Sequence, residues 1–531
     1  MLKRFALSIS TGLILGLSWV EITGFFPLIF VALVPFLILE DEIFVKKLST
    51  KKVYVHTFVI FAIFNLVSSW WIYHASSEGL VMAVVFGSIL VAFPFWFFHL
   101  TRKFVGNKEG YIAFVINILA FEWIDYRWPL SHPWLPFGNM FSNSTNIVQW
   151  YEYTGVEGGT LWVLIINLLI FFGYRKLKSG VKLTQLKSHI IGLFLLIIIP
   201  ISISYLIKSN VNLGLDNPSV SIVLSQPNID PYKKFNGGNT GLDQVKNMLN
   251  VTKNSISDKT ELIITPETAI PFSLEEDMIH YSDEVQIAQV FLRKYPNAKI
   301  LSGASTHAFF DEINSEASRE MKNGGGYWEG YNTSLLIDST DNVEIYHKNK
   351  LVLGVETLPF KFITKPLESI FDLGGTSGSL GVSKEAKNFI VGKAKIAPTI
   401  CYESIYGEYT TEFSRKGANV IAIITNDAWW YDTPGYKQLL AYSKLRAIEN
   451  RKWIARSANT GISCFINPKG EIVKRTKWEE ATSITMDVPL IEGETFYVRY
   501  GDYISRISVF VAALLLLLTL VRRFKKKTIK D

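Results

Sequence analysis

A stretch of the chain reads Lys395-Ile-Ala-Pro-Thr-Ile-Cys401-Tyr-Glu-Ser404. Its apolar part predicts a buried strand, and the cysteine stands where that strand ends and polar residues begin. A side chain at the carboxyl end of a buried strand reaches a crevice from a rigid base, which suits a catalytic nucleophile. Most free cysteines are instead small buried hydrophobic residues. The stretch alone leaves both interpretations open, because a nucleophilic cysteine needs partners elsewhere in the chain.

The apolar residues of the chain are unevenly distributed. Of its 531 residues, 49% are hydrophobic and 19% are charged, which is more apolar than a soluble enzyme requires. Long uncharged runs lie in residues 1–208 and 503–521, and several approach the ~20 residues needed to cross a bilayer. We therefore predict a multi-span α-helical membrane domain (1–208, seven transmembrane helices), a globular domain (209–500), and an eighth helix with a basic cytoplasmic tail (501–531). The predicted transmembrane helices cover residues 5–20, 22–40, 54–74, 79–100, 110–127, 160–174, 189–207 and 503–521.

Basic residues occupy every second loop between these predicted helices. They lie within 46–52, 102–108, 175–187 and 522–530, whereas loop 74–79 has none and loop 125–159 has only Arg127. Because basic loops face the cytoplasm, both termini are predicted to be cytoplasmic and the globular domain to lie outside. The net charge of +7 comes largely from these loops and the tail, so it indicates contact with anionic lipid rather than nucleic acid.

The globular domain alternates short aliphatic runs with longer amphipathic stretches. This alternation predicts an α/β sheet whose faces are covered by helices. Residues 438–452 have helical periodicity, and residues 332–346 and 462–473 are typical of hairpins, the second with a turn at Asn467-Pro-Lys-Gly470. The predicted strands are 220–225, 261–265, 299–303, 333–337, 395–400, 419–425 and 453–458.

Other chemistries lack support in the sequence. The eight histidines are scattered without the spacing of a metal site, and no G-x-S-x-G elbow of a serine hydrolase occurs. The glycine-rich segments 323–326 and 373–381 match neither the dinucleotide-binding pattern nor the P-loop. We predict mobile flaps at these segments, and no cofactor, nucleotide or metal. The spacing does not decide whether Cys464 meets Cys401.

A cysteine nucleophile needs a base to take its proton and a cation to stabilise the oxyanion. Two other predicted strand ends supply such groups. Glu267 follows the run Ile263-Ile-Thr-Pro, and Lys348 follows Ile345-Tyr-His. Considered singly, this glutamate is typical of a helix N-terminus or a surface acid, and this lysine of a solvated side chain.

Taken together, the three residues and their neighbours form a recognisable set. The segments Pro266-Glu-Thr-Ala269, Tyr346-His-Lys-Asn-Lys-Leu-Val352 and Cys401-Tyr-Glu403 occur in this order along the chain. The set resembles the Glu-Lys-Cys triad of the carbon-nitrogen hydrolase (nitrilase) superfamily. This resemblance implies an αββα sandwich in which Glu267, Lys348 and Cys401 are catalytic.

The arrangement of the whole chain, with seven predicted transmembrane helices before such a domain and one after it, resembles a membrane branch of that superfamily. This branch is the apolipoprotein N-acyltransferases. The resemblance covers nearly the whole chain. It includes Pro133-Trp-Leu-Pro-Phe-Gly138, Thr425-Asn-Asp-Ala-Trp429, Arg446-Ala-Ile-Glu449 and Ala458-Asn-Thr-Gly461. It implies a location in the bacterial cytoplasmic (inner) membrane, with the catalytic domain facing the periplasm or outer side.

The resemblance also implies supporting or substrate-binding residues. These are Glu356, which corresponds to an additional essential glutamate, together with Tyr402, Glu403, Phe235 and Trp429. Two positions depart from the family's pattern. The segment ending at Glu356 reads Leu-Val-Leu-Gly-Val-Glu instead of Leu-Val-Pro-Phe-Gly-Glu, and Phe235 stands where a tryptophan is frequent.

The reaction that the resemblance implies has two steps. Cys401 attacks an acyl ester of a membrane phospholipid and forms a thioester, and the α-amine of a lipoprotein's diacylglyceryl-cysteine then takes the acyl group. Glu267 would act as general base, and Lys348 with a backbone N–H near Tyr402 would stabilise the oxyanion. Each buried CH2 of the fatty chains contributes about 0.8 kcal/mol to membrane retention, which is a physical reason for a membrane-bound enzyme.

Two other functions remain open at this point. A membrane-anchored amidase or nitrilase would pass the acyl group to water, and N-acylated product rather than free acid would exclude it. A transporter or receptor could instead carry an inactive nitrilase-like binding domain. The intact set of Glu267, Lys348 and Cys401 argues against that function, as does the absence of a clear charged pathway in the predicted transmembrane helices.

Overall fold

The computed structural model describes residues 1–234, 240–322, 324–358 and 379–528. The chain divides into two compact units, Met1–Asn210 with Tyr500–Asp531, and Val211–Arg499. The described helices are α1 (Leu2–Ser18), α2 (Ile29–Ala32), α3 (Val34–Val45), α4 (Lys51–Ser69), α5 (Ser77–Phe104), α6 (Asn107–Asp125), α7 (Tyr151–Lys178), α8 (Lys187–Asn210), α9 (Gly241–Thr252), α10 (Asp283–Leu292), α11 (Gly407–Arg415), α12 (Pro434–Asn450), α13 (Phe496–Tyr500) and α14 (Tyr503–Thr528).

The first unit contains several long apolar helices. Within the described residues, five segments are long and apolar enough to cross a membrane, where the sequence predicted eight transmembrane helices. These five are Lys51–His74, Ser77–Phe104, Tyr151–Lys178, Leu183–Asn210 and Tyr503–Lys525. The side chains of Leu195, Ile198 and Ile199 on α8 are exposed within the unit. Such a broad apolar surface is typical of a helix in contact with lipid.

Two predicted transmembrane helices differ from the observed elements. The segment predicted as one helix at 22–40 is divided among a 3-10 turn (Phe26–Leu28), α2 and α3. Pro27 and Pro35 explain the division, because proline has no N–H to donate to the carbonyl of the preceding turn and is tolerated only at the start of a helix. The helix predicted at 160–174 corresponds to the longer helix α7, which begins at Tyr151. This helix bends at Gly155, whose φ is +59°.

The second unit is built around β-strands. The described strands are β1 (Ser219–Gln226), β2 (Leu262–Ile264), β3 (Ile270–Glu275), β4 (Lys299–Phe310), β5 (Arg319–Glu320), β6 (Tyr327–Ile337), β7 (Val343–His347), β8 (Phe389–Val391), β9 (Ala394–Ile400), β10 (Val420–Thr425), β11 (Trp453–Ala458), β12 (Cys464–Ile466), β13 (Ile472–Arg475) and β14 (Thr482–Pro489). Among the described residues they form an eight-stranded sheet, ordered β14-β1-β2-β4-β6-β5 with β3 beside β4 and β7 beside β6. The second sheet has six strands, ordered β13-β12-β11-β10-β9-β8.

The two sheets form the inner layers of the unit. Ser457 Oγ on β11 donates a hydrogen bond of 2.7 Å to the Ser225 carbonyl on β1, so the two sheets contact each other. On the outer face of the eight-stranded sheet, Val245 of α9 and Val285 of α10 pack into a core with Ile263. Helices α11 and α12 contact the six-stranded sheet. These layers are the αββα arrangement that the resemblance implied.

Each predicted strand overlaps an observed strand. Strands β4 and β6 continue well beyond the predicted ranges, and they pair antiparallel from Ile300 with Ile337 to Phe310 with Tyr327. The predicted hairpins correspond to β6–β7 and β12–β13, and Gly470 N donates to Asn467 O in the second turn. Of the glycine-rich segments, Asn323 and residues 373–378 lie outside the described residues.

Candidate active site

The ends of parallel strands bring the predicted catalytic residues to one region of the second unit. Strands β1, β2 and β4 run parallel in one sheet, and β9, β10 and β11 run parallel in the other. Glu267 follows the end of β2, and Cys401 directly follows β9. Lys348 directly follows β7. Side chains beyond the carboxyl ends of parallel strands share a crevice, which accounts for this convergence.

Lys348 lies between two buried carboxylates. Its Nζ donates to Glu267 Oε1 at 3.0 Å and to Glu356 Oε1 at 2.9 Å. The same two oxygens accept hydrogen bonds from Asn332 Nδ2, each at 2.8 Å. All four residues are at most 6% exposed. Charge-assisted bonds in such a dry environment hold the cation and both carboxylates in fixed positions.

The protonation states of this cluster follow from its charges. Burial by itself raises the pKa of Glu267, but the adjacent Lys348 cation and the hydrogen bonds from Lys348 and Asn332 outweigh it, so the pKa lies below its ordinary value. Burial opposes the charged form of Lys348, but the carboxylates of Glu267 and Glu356 raise its pKa. At neutral pH, Glu267 is therefore an ionised base, and Lys348 remains a cation.

Cys401 occupies a sharp turn beside this cluster. Its φ is +46°, in the left-handed region that few non-glycine residues adopt, and a 3-10 helix (Cys401–Ile405) begins there. Burial and the nearby charge of Glu267 raise the pKa of the thiol, while Lys348 and a hydrogen bond from Thr425 lower it. The resting thiol is therefore protonated, and it lies within hydrogen-bonding reach of Glu267. The other Glu267 oxygen, Oε2, accepts from Asn426 N at 3.2 Å.

Local hydrogen bonds fix the orientation of Glu356, in the segment that departs from the family's pattern. Its Oε2 accepts from Val352 N at 2.8 Å, and its own N–H donates to the Val352 carbonyl at 2.9 Å. These bonds close a tight turn that directs Oε1 at Lys348. The sequence change within 351–356 therefore leaves this carboxylate in contact with the cation.

Glu403 connects the cysteine turn to the segment that carries Lys348. Its Oε1 accepts from Asn349 N at 2.7 Å and from Tyr346 OH at 2.8 Å, and its Oε2 accepts from Ile400 N at 2.8 Å. Burial raises the pKa of Glu403 to about 7, against the effect of these hydrogen bonds. Tyr402 is buried beside it and packs edge-on against the Tyr406 ring.

Trp429 lies in a 3-10 turn (Asp427–Trp430) that follows β10. Its ring packs edge-on against Tyr232, with 5.4 Å between centroids, and Tyr232 OH donates to the Trp429 carbonyl. Tyr232 also stacks on Tyr431. The three rings form a partly exposed aromatic surface. Phe235 lies outside the described residues.

Several residues of the site were missed in the sequence. Asn332 lies in the middle of β6, and nothing in its local sequence distinguishes it from other polar strand residues. Thr425 belongs to a segment noted above, but its proximity to sulfur was not foreseen. Lys234 is buried and donates to Thr268 Oγ1 at 2.8 Å and to the Glu267 carbonyl at 3.4 Å. Burial lowers the pKa of Lys234 to about 7.

Comparison with known proteins identifies two matching segments. Residues 11–169 match the family model described as apolipoprotein N-acyltransferase N-terminal domain, and residues 238–495 match the model described as carbon-nitrogen hydrolase. Among solved structures, an amidase from Nesterenkonia sp. aligns with a TM-score of 0.37 and 14% identity, covering 56% of this chain and 98% of that chain.

Two curated relatives extend the match. An apolipoprotein N-acyltransferase of Chlorobaculum tepidum is 31% identical over 540 residues, covering 98% of this chain and 97% of the relative. One of Haemophilus influenzae is 26% identical over 422 residues, covering 78% of this chain and 74% of the relative. The resemblance drawn from the sequence is confirmed, and the chain belongs to the apolipoprotein N-acyltransferase family.

Proposed function

We propose that this protein transfers a fatty acyl group from a membrane phospholipid to the α-amine of a lipoprotein's N-terminal diacylglyceryl-cysteine. The transfer proceeds through a thioester on Cys401. The observation that carries this proposal is the buried contact of Lys348 with Glu267, beside the Cys401 thiol. Family membership and the apolar helices support lipid substrates.

The first half-reaction uses the protonation states derived above. Glu267 takes the thiol proton as Sγ of Cys401 attacks the ester carbonyl of the phospholipid. The resulting oxyanion is stabilised by Lys348 and by a backbone N–H near Tyr402, at the beginning of the 3-10 turn. When the intermediate collapses, the lysophospholipid oxygen leaves with the proton from Glu267, and the thioester remains.

The second half-reaction uses the same groups with the amine as nucleophile. The neutral α-amine attacks the thioester carbonyl, and Glu267 accepts its proton. The same donors stabilise the second oxyanion. Collapse forms the amide and expels the Cys401 thiolate, which regains a proton from Glu267. Because an α-amine has a pKa of about 7.7 to 8.0, a useful fraction of the acceptor is neutral at physiological pH.

The finer organisation is part of the same proposal. We infer seven transmembrane helices in residues 1–208, a catalytic domain at 209–500 and an eighth helix with a cytoplasmic tail at 501–531. Both termini are cytoplasmic, and the catalytic domain faces the periplasm or outer side of a bacterial inner membrane. Basic residues in alternate loops support this orientation. Four further residues support Glu267, Lys348 and Cys401 or contact substrate in this proposal. They are Tyr402, Glu403, Phe235 and Trp429.

Intact mass spectrometry tests the thioester. The full-length protein is incubated with phospholipid vesicles without an acceptor, and we expect one added acyl mass that hydroxylamine removes. Cys401→Ala should carry no adduct. Cys464→Ala is the matched control, because Cys464 is also a buried free thiol but begins β12 and is not one of the three proposed catalytic residues.

An experiment with the acyl acceptor distinguishes acyl transfer from hydrolysis. Adding a diacylated lipopeptide with a free α-amine should discharge the thioester into an N-acylated product. Release of free fatty acid at the same rate with and without the lipopeptide would instead indicate an acyl hydrolase. Absence of any adduct on the wild-type protein, with every phospholipid used, contradicts the proposal.

A further inference from the structure

The hydroxyl of Thr425 lies between the sulfur of Cys401 and a buried carboxylate. Its Oγ1 is 3.3 Å from Cys401 Sγ and 3.0 Å from Asp427 Oδ1. All three side chains are buried. A hydroxyl carries one hydrogen and can donate to only one of these two acceptors at a time. The geometry therefore permits two arrangements that differ only by rotation about the Cβ–Oγ bond.

Asp427 keeps strong partners in either arrangement. Arg456 NH1 donates to its Oδ2 at 3.0 Å, and Arg456 NH2 donates to its Oδ1 at 2.8 Å. Both side chains are completely buried. Two charge-assisted bonds satisfy the carboxylate without Thr425. The hydroxyl hydrogen can therefore turn away from Asp427 without leaving a buried charge unpaired.

The position of Thr425 is rigid. It ends β10, where Ile424 pairs with Ile400 of β9 and Thr425 pairs with Ala458 of β11. Cys401 directly follows Ile400, so the hydroxyl and the sulfur are held on adjacent parallel strands. A donor fixed in this way needs no reorganisation of heavy atoms when charge develops on sulfur.

We propose that Thr425 is a further catalytic residue, whose hydroxyl donates to Cys401 Sγ whenever the sulfur carries negative charge. This role rests on the proposed function of Cys401 as the nucleophile. As Glu267 takes the thiol proton, the Thr425 hydrogen turns from Asp427 to the thiolate. It returns when the sulfur becomes neutral in the thioester. No covalent bond of Thr425 forms or breaks, and its hydrogen remains on Oγ1 throughout.

The other charges around the sulfur do not replace this donor. Glu267 and Asp427 are negative and disfavour the thiolate, whereas Lys348 is positive and favours it. The Lys348 ammonium is already bonded to Glu267 and Glu356. Thr425 supplies a donor directly to the sulfur without adding a charge.

The test measures alkylation of Cys401 by iodoacetamide in the full-length protein, followed by peptide mass spectrometry. Rates are compared between about pH 6 and about pH 10, a range that brackets the ordinary thiol pKa. Thr425→Val removes the hydroxyl at nearly constant volume. We expect at least a tenfold slower alkylation at neutral pH and a profile displaced to higher pH, because hydrogen bonds to charged groups are the strong ones. Thr425→Ser should restore the rate to within about threefold of the wild type, since it retains the donor.

Thr399→Val is the matched control. Thr399 lies on β9, is completely buried, and its hydroxyl has no hydrogen-bond partner among the described residues. Its replacement should leave the alkylation profile unchanged. Thr425→Ala provides a second variant without the hydroxyl, and circular dichroism verifies that each variant is folded. If either folded variant lacking the hydroxyl alkylates at the wild-type rate and pH, the role of Thr425 is refuted.

Alkylation requires neither phospholipid nor lipoprotein, so the two proposals can fail separately. A wild-type protein that acquires an acyl adduct, together with unchanged alkylation of Thr425→Val, refutes only the role of Thr425. A wild-type protein without an adduct, whose alkylation still depends on Thr425, refutes only the acyl-transfer proposal. Equal slowing in Thr425→Val and Thr425→Ser also refutes the hydroxyl donor, because the serine variant keeps it.

Discussion

Lys348 influences the protonation of two neighbouring side chains. Its ammonium contacts Glu267 and Glu356 through hydrogen bonds of 3.0 and 2.9 Å. The cation keeps Glu267 ionised, although burial favours the neutral acid. It also favours the Cys401 thiolate, although burial raises the pKa of the thiol. A single buried cation thus favours the ionised forms of both the Glu267 carboxyl and the Cys401 thiol.

Glu403 should make the stability of the protein depend on pH. Burial raises its folded-state pKa to about 7, above the ~4.3 of an unfolded glutamate. The folded protein therefore binds a proton more tightly, and the stabilisation is complete below about pH 4 and is lost as pH rises through about 7. Glu403→Gln does not titrate. We expect the wild type to melt at a similar temperature to this variant near pH 4 and progressively below it as pH rises to about 7.

Thermal unfolding of the full-length proteins in detergent measures this difference. Comparing the wild type with Glu403→Gln at each pH removes the contribution of other titrating groups. Glu344→Gln is a suitable control, because Glu344 is partly exposed and makes a surface ion pair of 3.4 Å with Lys387. A constant melting difference between wild type and Glu403→Gln over this range would contradict the raised pKa.

Among the secondary-structure elements, the close approach of β4 to the turn after β2 positions Glu267. Gly303 lies on β4, and a Cβ there would be 2.5 Å from Thr268 N and 2.6 Å from Glu267 Cα. Both are backbone atoms and cannot rotate away. The small size of Gly303 therefore allows Glu267 to lie at its observed position.

Gly303→Ala should displace Glu267 and weaken catalysis. We expect destabilisation of about 1–3 kcal/mol from overpacking, measured by chemical or thermal unfolding. Cys401 acylation should slow by about 100-fold, because small misplacements of a catalytic group have large effects on rate. Gly330→Ala on the paired strand β6 is the control, since its nearest atom would be 3.6 Å away. Equal acylation rates in the two variants would show that this contact does not position the base.

The strands differ in how readily the sequence predicts them. Every residue of β10 and of β11 is buried, and apart from Arg456 each strand is a run of apolar or small residues that local patterning detects. The later half of β4 contains Ser305 and Thr306, whose polar side chains indicate a loop when only the local sequence is considered. Pairing with β6 makes it a strand. Edge strand β14 was missed for the same reason, because its pairing with β1 joins residues distant in sequence.

For the whole molecule, the charge pattern predicts the orientation in the membrane. Helix α8 is followed by the globular unit, and α14 is followed by a basic tail that includes Arg522 and Arg523. We expect alkaline phosphatase to be active when fused after Leu213 and inactive when fused at the C-terminus, because it needs the oxidising exterior to form its disulfides. Green fluorescent protein should give the reverse pattern. Active phosphatase at the C-terminus would overturn the inferred orientation.

The sequence by itself determined the division into an apolar helical part and a globular α/β part, and it identified Glu267, Lys348 and Cys401 as candidates. Hydropathy, strand length and motif order are local or sequential properties, so a single chain reveals them. Only the tertiary structure decided which atoms meet. Lys348 and Glu267 are 81 positions apart, and Thr425 reaches Cys401 from a neighbouring strand. Such contacts depend on which strands lie side by side in a sheet and where those strands end, and no local pattern encodes this.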